Sequence, residues 1–213
     1  YNSLEYFGDS ANLGDFIIPA SVKVIGNNSF NGAKVTSVKF ASGSNCTGIG
    51  GSAFSSCSGL TAVTLPAKLT SIGDGAFEDC TKLESITIPA GVTKIGEYAF
   101  AGCSSLTTIT MSANSKLTEI PDYFAQNCGK LTAFTVTASI KKIGTEAFSR
   151  CRSLASVTFS ANSKCSDIGD YAFAGCSALK SIKLPASVTK LESGVFMSCI
   201  KLTEIDIEAD SID

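Results

Sequence analysis

The sequence predicts a right-handed, β-rich α/β solenoid, with a parallel sheet on its concave face and short helical or 3₁₀ turns on the other side. Three observations carry that expectation. The stretch Leu83–Leu106, LESITIPAGVTKIGEYAFAGCSSL, recurs with small changes along all 213 residues. Its opening falls at Leu13, Val35, Leu60, Leu83, Leu106, Leu131, Leu154, Leu179 and Leu202, at separations of 22, 25, 23, 23, 25, 23, 25 and 23 residues. A period in the twenties with no linker marks coils that bury their apolar faces only against their neighbours. Within a coil, Ile86 and Ile88 alternate with Ser85 and Thr87, which is the period of a half-buried strand.

The chain reads as one domain, residues 1–213. A partial repeat covers 1–12, full repeats start at 13, 35, 60, 83, 106, 131, 154 and 179, and a partial repeat covers 202–213. In the first partial repeat Phe7 stands where Phe100 stands before Leu106, and Ser10 takes the place of Cys103. Proline follows the strand at Pro19, Pro66, Pro89 and Pro185, where it ends a ladder without removing an internal donor. The Val-x-x-Ile-Gly segment reads as a second, shorter extended stretch, its glycine free to turn. EYAFAGC is too short for an independent helix and is expected to form one helical or 3₁₀ turn. Nine strands about 4.8 Å apart give a parallel sheet on the order of 40 Å long. Repeat five departs from the rest: in Ile120-Pro121-Asp122-Tyr123-Phe124-Ala125, Phe and Ala have exchanged places and Pro replaces Gly. Its length is unchanged, so a local repacking is expected, without a break. The final strand has no polar cap of the kind solenoids carry, so the natural protein is expected to continue past Asp213.

Repeats two, five and seven carry two extra residues after the strand, as ASGSN before Cys46, SANSK before Leu117 and SANSK before Cys165. Insertions confined to one position fall on one edge of a solenoid, often the functional edge, although such an edge also simply tolerates small polar bulges.

The string LxxIxIPxxVxxIGxxAFxxCxxL closely resembles the BspA-like (Treponema pallidum-type) leucine-rich repeats, from about Leu13 to Ile207, in eight full copies and two partial ones. The resemblance implies a leucine-rich-repeat fold and a bacterial or protist protein that is extracellular or at the cell surface. It also implies adhesion to protein or glycan on host or neighbouring cells. It supplies no catalytic residue, cofactor or fixed binding site.

The chemistry of the residues agrees with a non-enzyme. Seven of the nine cysteines (Cys57, Cys80, Cys103, Cys128, Cys151, Cys176 and Cys199) share one slot that also accepts Ala33 and Ser10. Cys46 and Cys165 replace an apolar residue. Buried free thiols, acting as small hydrophobes, are therefore expected over disulfides. With no histidine and no CxxC, neither a zinc cage nor the usual general base is available. Asp74, Glu97, Asp122 and Asp170 recur before Ala-Phe and read as solvated or turn-capping groups. A net charge of −2 argues against a nucleic-acid surface, and no apolar run reaches the roughly 18 residues of a membrane span.

The exposed sheet face is the best binding candidate, through Thr64, Thr87, Thr110, Thr135, Thr158 and Lys183, which stand between the two inward residues of successive strands. Partners expected there are macromolecules, docked by shape on an extended concave surface. Threonine is also simply a good exposed strand residue. Three alternatives remain: a stiff spacer presenting another domain, an ice-binding threonine ladder, and, more weakly, a hydrolase. Lys130, Lys141, Lys142, Arg150 and Arg152 fall in consecutive repeats and suggest a basic patch. Nothing in the sequence bears on oligomeric state.

Overall fold

The computed structural model describes residues 3–4 and 12–207. The positions of Phe7 and Ser10 in the partial first repeat, and the acidic residues after Ile207, lie outside the described residues. The strands in order are β1 (Ser3–Leu4), β2 (Asn12–Ile18), β3 (Val24–Ile25), β4 (Lys34–Phe40), β5 (Gly48–Ile49), β6 (Ala62–Val63), β7 (Ser71–Ile72), β8 (Ser85–Ile88) and β9 (Lys94–Ile95). They continue as β10 (Thr108–Met111), β11 (Glu119–Ile120), β12 (Ala133–Val136), β13 (Lys142–Ile143), β14 (Ser156–Phe159), β15 (Asp167–Ile168), β16 (Ser181–Leu184), β17 (Lys190–Leu191) and β18 (Glu204–Ile207). Even-numbered and odd-numbered strands form two separate parallel ladders, one strand per coil in each.

The even ladder is the long sheet foreseen from the alternation, but it is not uniform. Seven strands run in order from β2 to β14, and β16 pairs with β18 apart from them. Pairing varies from join to join. Ser85–Ile88 of β8 matches Thr108–Met111 of β10 residue for residue. Ala133–Val136 of β12 matches Ser156–Phe159 of β14 in the same way, whereas the single pair Ala62 and Ser85 joins β6 to β8. After each inserted coil the pairing thins. Two residue pairs join β4 to β6, one joins β10 to β12, and the seven-stranded sheet ends at β14. The sheet is thus thin after each insertion and also between β6 and β8, where coil three carries none. In β18 the inner residues Ile205 and Ile207 are exposed, because a solenoid strand is covered by the coils on both sides of it.

The odd ladder shows what the recurrent glycine does. The amide of Gly73 donates to Ile49 O (2.8 Å), Gly96 to Ile72 O (2.9 Å), Gly144 to Ile120 O (2.8 Å) and Gly169 to Ile143 O (2.8 Å). A Cβ on Gly73 would lie 2.5 Å from the backbone nitrogen of Gly51. At Gly73 the residue is therefore favoured by close approach between coils and not by a special turn, while Glu192 holds the position in repeat eight and its amide donates to Ile168 O (3.0 Å). Pro121 brings a ring and no N–H to this position. The ladder divides there into β1-β3-β5-β7-β9 and β11-β13-β15-β17. Repeat five thus breaks one ladder, contrary to the expectation of repacking alone.

Among the described residues no helix forms on the far side, which corrects the expected helical or 3₁₀ turns. Helical bonds stay within a segment, whereas here alternate amides leave it. In repeat two Ser52, Phe54 and Ser56 donate to Asp74 O, Ala76 O and Glu78 O of the next coil at 2.7–2.8 Å, while Ser55 and Cys57 close local turns on Ser52 O and Phe54 O. The alternation needs two left-handed residues per coil, as at Tyr98 (φ 58°) and Gly102 (φ 71°). A run of right-handed helix cannot contain them.

The core is a column of buried phenylalanines. Phe30, Phe54, Phe77 and Phe100 stack with centroids 4.9–5.5 Å apart and planes within 9°. At repeat five Phe124 occupies the alanine slot and meets Phe100 edge-on at 83°. The room left at Ala125 is taken by Phe134, 4.6 Å from Phe148, and parallel stacking resumes at Phe148–Phe173. Both arrangements are favoured ones for aromatic pairs, so the core repacks as expected.

The cysteine slot is buried throughout, and it selects for more than size. Each thiol donates to a carbonyl of the preceding coil: Cys57 Sγ to Phe30 O (3.0 Å), Cys103 Sγ to Phe77 O (3.1 Å) and Cys176 Sγ to Phe148 O (3.2 Å). Where Phe and Ala exchange, Cys151 Sγ follows the backbone position and donates to Ala125 O (3.1 Å). Burial pushes the Cys57 thiol up to about 12, from an ordinary value of 9.0.

Phe100→Ala is expected to cost about 3–5 kcal/mol, as for a fully buried aromatic; a urea melt showing under about 1 kcal/mol would place the ring outside the core. The thiol at Cys57 adds a pH dependence. Below pH 9 it is protonated folded and unfolded. Above that only the unfolded thiol ionises, so its contribution is lost as pH rises from 9 towards about 12. Unfolding midpoints between pH 7 and 11 should fall on the alkaline side, and less steeply in Cys57→Ala.

Candidate functional site

Thr87, Thr110, Thr135, Thr158 and Lys183 stand exposed on strands of the even ladder, and Thr64 is exposed directly after β6. Thr87 is the register partner of Thr110, Thr135 of Thr158 and Lys183 of Asp206. Solvent exposure alone does not distinguish them, because threonine rows also flank this face. The difference lies in their hydroxyls. In the row entering the sheet, Thr61 Oγ1 donates to Thr36 O (3.0 Å) and Thr107 Oγ1 to Glu84 O (3.0 Å). In the row entering the odd ladder, Thr70 Oγ1 donates to Thr47 O (2.9 Å) and Thr93 Oγ1 to Thr70 O (3.3 Å). Those hydroxyls are consumed by the preceding coil. Among the described residues, the five sheet-face threonines make no side-chain hydrogen bond, so theirs remain open to a ligand.

The insertions lie along the edge where this face ends. Each is a turn held in the same way. Ser44, Ser115 and Ser163 each close a turn on the residue three before, at 2.9–3.1 Å. Their hydroxyls accept from the amides of Cys46, Leu117 and Cys165 at 3.2–3.3 Å. Such side-chain capping is the usual work of serine in a turn.

Beside each insertion, where the sheet thins, lies a depression. One of about 300 Å³ is lined by Phe40, Gly43, Thr64, Leu65, Pro66 and Lys68. A second of about 300 Å³ is lined by Thr108, Thr110, Met111, Ala113, Thr135 and Thr137. The third, of about 410 Å³, is lined by Thr158, Phe159, Asn162, Lys183, Pro185 and Ser187 among others. The structure thus joins two features that the sequence kept apart, and five of the six candidate residues border these depressions; Thr87, on coil four, does not. Phe40, Leu65, Met111 and Phe159, at the second inward position of their strands or just past it, are half-buried, whereas Ile18, Ile88, Val136 and Leu184 at the same position are buried.

The charged candidates resolve differently. Asp74, Asp122 and Asp170 accept, through Oδ1, from the amides of Glu97 (3.2 Å), Thr145 (2.8 Å) and Ser193 (2.9 Å) in the next coil. They are turn caps, as read. The suggested basic patch does not assemble. Lys142 on β13 is flanked in register by Glu119 and Asp167, and Arg150 lies on the turn side in a depression shared with Glu146. Among the described residues, no group of three or more His, Cys, Asp or Glu side chains is placed to hold a metal ion, and no helix is long and apolar enough to cross a membrane.

A family profile for the BspA type leucine rich repeat region matches residues 3–124 and 118–213, in six copies. The chain belongs to that family. Among solved structures, a leucine-rich repeat protein from Bacteroides ovatus is 25% identical with a TM-score of 0.69, over 91% of this chain and 60% of its own. One from Eubacterium ventriosum is 25% identical with a TM-score of 0.66, over 93% of this chain and 60% of its own. The leucine-rich repeat protein of Treponema pallidum is 23% identical with a TM-score of 0.69, over 82% of this chain and 80% of its own, and shows the shared fold. The BspA-type chain therefore spans about 60% of the length of two of these proteins. No curated protein sequence matches it.

Ser115→Ala should destabilise by about 1 kcal/mol, the net worth of a buried hydrogen bond, read as a shifted urea midpoint. An unchanged midpoint would mean that the hydroxyl does not hold the inserted turn.

Proposed function

We propose that this BspA-type solenoid is a non-catalytic binding module, displayed outside the cell or on its surface, that docks a macromolecule on its sheet face and inserted-loop edge. The observation that carries the reading is the set of open threonine hydroxyls beside three depressions, next to flanking threonines such as Thr61, Thr70, Thr93 and Thr107 whose hydroxyls are held by the preceding coil. An array of rigid strands presents these groups without ordering cost at the moment of binding. The carboxylates of the turn side cap backbone amides, which supports a surface that binds without turnover. Family membership supports the extracellular setting and the adhesive role.

The test is a binding screen against matrix proteins and glycans, run beside Thr110→Arg/Thr135→Arg. The two long side chains obstruct the face and leave the core untouched, so a partner held by shape should bind at least tenfold more weakly with an unchanged melting temperature. Thr110→Leu/Thr135→Leu, which removes both hydroxyls and adds no charge, serves as the variant for an anionic partner. A partner bound equally well by the variant would remove the sheet face from the site. No partner at all would favour a spacer.

A further inference from the structure

The net charge of −2 conceals a segregation of charge between faces. On the turn side, the eight segments from the recurrent glycine position to the cysteine slot carry Asp74, Glu78, Asp79, Glu97, Asp122, Glu146, Asp170 and Glu192 against the single cation Arg150. The segments that join the even ladder to the odd ladder, where the insertions lie, are the reverse. Residues 19–23, 41–47, 66–70, 89–93, 112–118, 137–141, 160–166 and 185–189 contain Lys23, Lys68, Lys116, Lys141 and Lys164 and no carboxylate.

Three of these lysines share one structural position, directly before the buried residues Leu69, Leu117 and Cys165. Lys68, Lys116 and Lys164 are 48 residues apart, on coils three, five and seven, and all are exposed. The intervening coils place Gly91 and Ser139 there. Two coils span about 10 Å at the usual strand spacing, so the edge presents a row of cations at about that interval. Lys68 Nζ donates to the neutral Asn45 Oδ1 (2.7 Å). Among the described residues none of the three is paired with a carboxylate; the ion pair present is Lys190–Glu192, on the other ladder. Lys68 lines the same depression as Thr64, and the Ser and Asn residues of the insertions directly precede Lys116 and Lys164 in the chain.

We infer that the occupant of this edge is a linear anionic polysaccharide lying along the solenoid axis, its acidic groups on Lys68, Lys116 and Lys164 and its hydroxyls against Thr110, Thr135 and Thr158. The inference rests on the docking reading above and names the partner's chemistry. Carboxylate or sulfate groups answer the cations, and a carbohydrate supplies the density of hydroxyls that an uncharged threonine surface without exposed aromatic rings can use. The period selects the polymer. A β-extended peptide brings side chains to one side every two residues, about 7 Å, out of step with the row. In a two-fold polysaccharide alternate residues face the same way, and a disaccharide is about as long as two coils are thick.

The test is calorimetric titration of the folded chain with heparin and with alginate, at low and high salt. Poly-glutamate serves as the acidic-peptide probe and dextran as the neutral one. Wild type should bind at least one of the two anionic polysaccharides saturably, more weakly at high salt, and should not bind dextran. Lys68→Ala/Lys116→Ala/Lys164→Ala should weaken that binding at least tenfold. Lys34→Ala/Lys82→Ala/Lys130→Ala removes the same charge from the corner that enters the sheet and should change it by less than about twofold. Equal loss in both triple variants, saturable binding by neither polysaccharide, or poly-glutamate binding as tightly as either would overturn the inference. A matrix protein held through Thr110 and Thr135 while neither polysaccharide binds would overturn it and leave the docking reading standing.

Discussion

Every feature of this molecule depends on main-chain hydrogen bonding from coil to coil. Each coil donates to its neighbour in both ladders and again along the turn side, where Ser52, Phe54 and Ser56 reach the carbonyls of the next coil. Such bonds bring successive backbones to within about 5 Å, and the repeat then places like residues in columns. A residue type that suits one coil must suit contact with its own copy above and below. Phenylalanine satisfies this by stacking and glycine by leaving no Cβ at the closest approach. Cysteine satisfies it by donating its thiol to a carbonyl beneath it. Each of these carbonyls already accepts a turn amide, and the thiol column adds a second donor to it with a small side chain.

The same constraint explains the irregularities. Pro121 removes one donor and adds a ring at the tightest contact, and the odd ladder divides there. An insertion of two residues cannot be absorbed in the stack, so it is expelled at the edge. Pairing is reduced after β4, β10 and β14, and a depression lies beside each insertion. Small loops therefore turn an otherwise flat face into one with recurring recesses, bordered by half-buried Phe40, Met111 and Phe159.

Columns also organise charge. Residues repeated every coil or every second coil become rows, so modest composition yields faces of opposite sign: carboxylates on the turn side, lysines on the inserted edge. Asp74, Asp122 and Asp170 follow the same 48-residue interval as Lys68, Lys116 and Lys164. In the aspartates that interval serves backbone capping; in the lysines it faces solvent.

The period, the strand with its alternating Ile and Thr, the phenylalanine recurring in each repeat and the burial of the cysteines were legible from sequence alone, because each depends on spacing along the chain. The exposed positions of Thr64, Thr87, Thr110, Thr135, Thr158 and Lys183 were legible for the same reason. The absence of helix on the turn side among the described residues, the division of both ladders, the purpose of the recurrent glycine and the dispersal of the basic cluster were not. Those depend on which amides leave a coil and on how closely two backbones approach. Nor does sequence show which threonine hydroxyls are used: Thr107 and Thr110 are alike as letters, and only the position of Glu84 O on the coil beneath binds the first and leaves the second open.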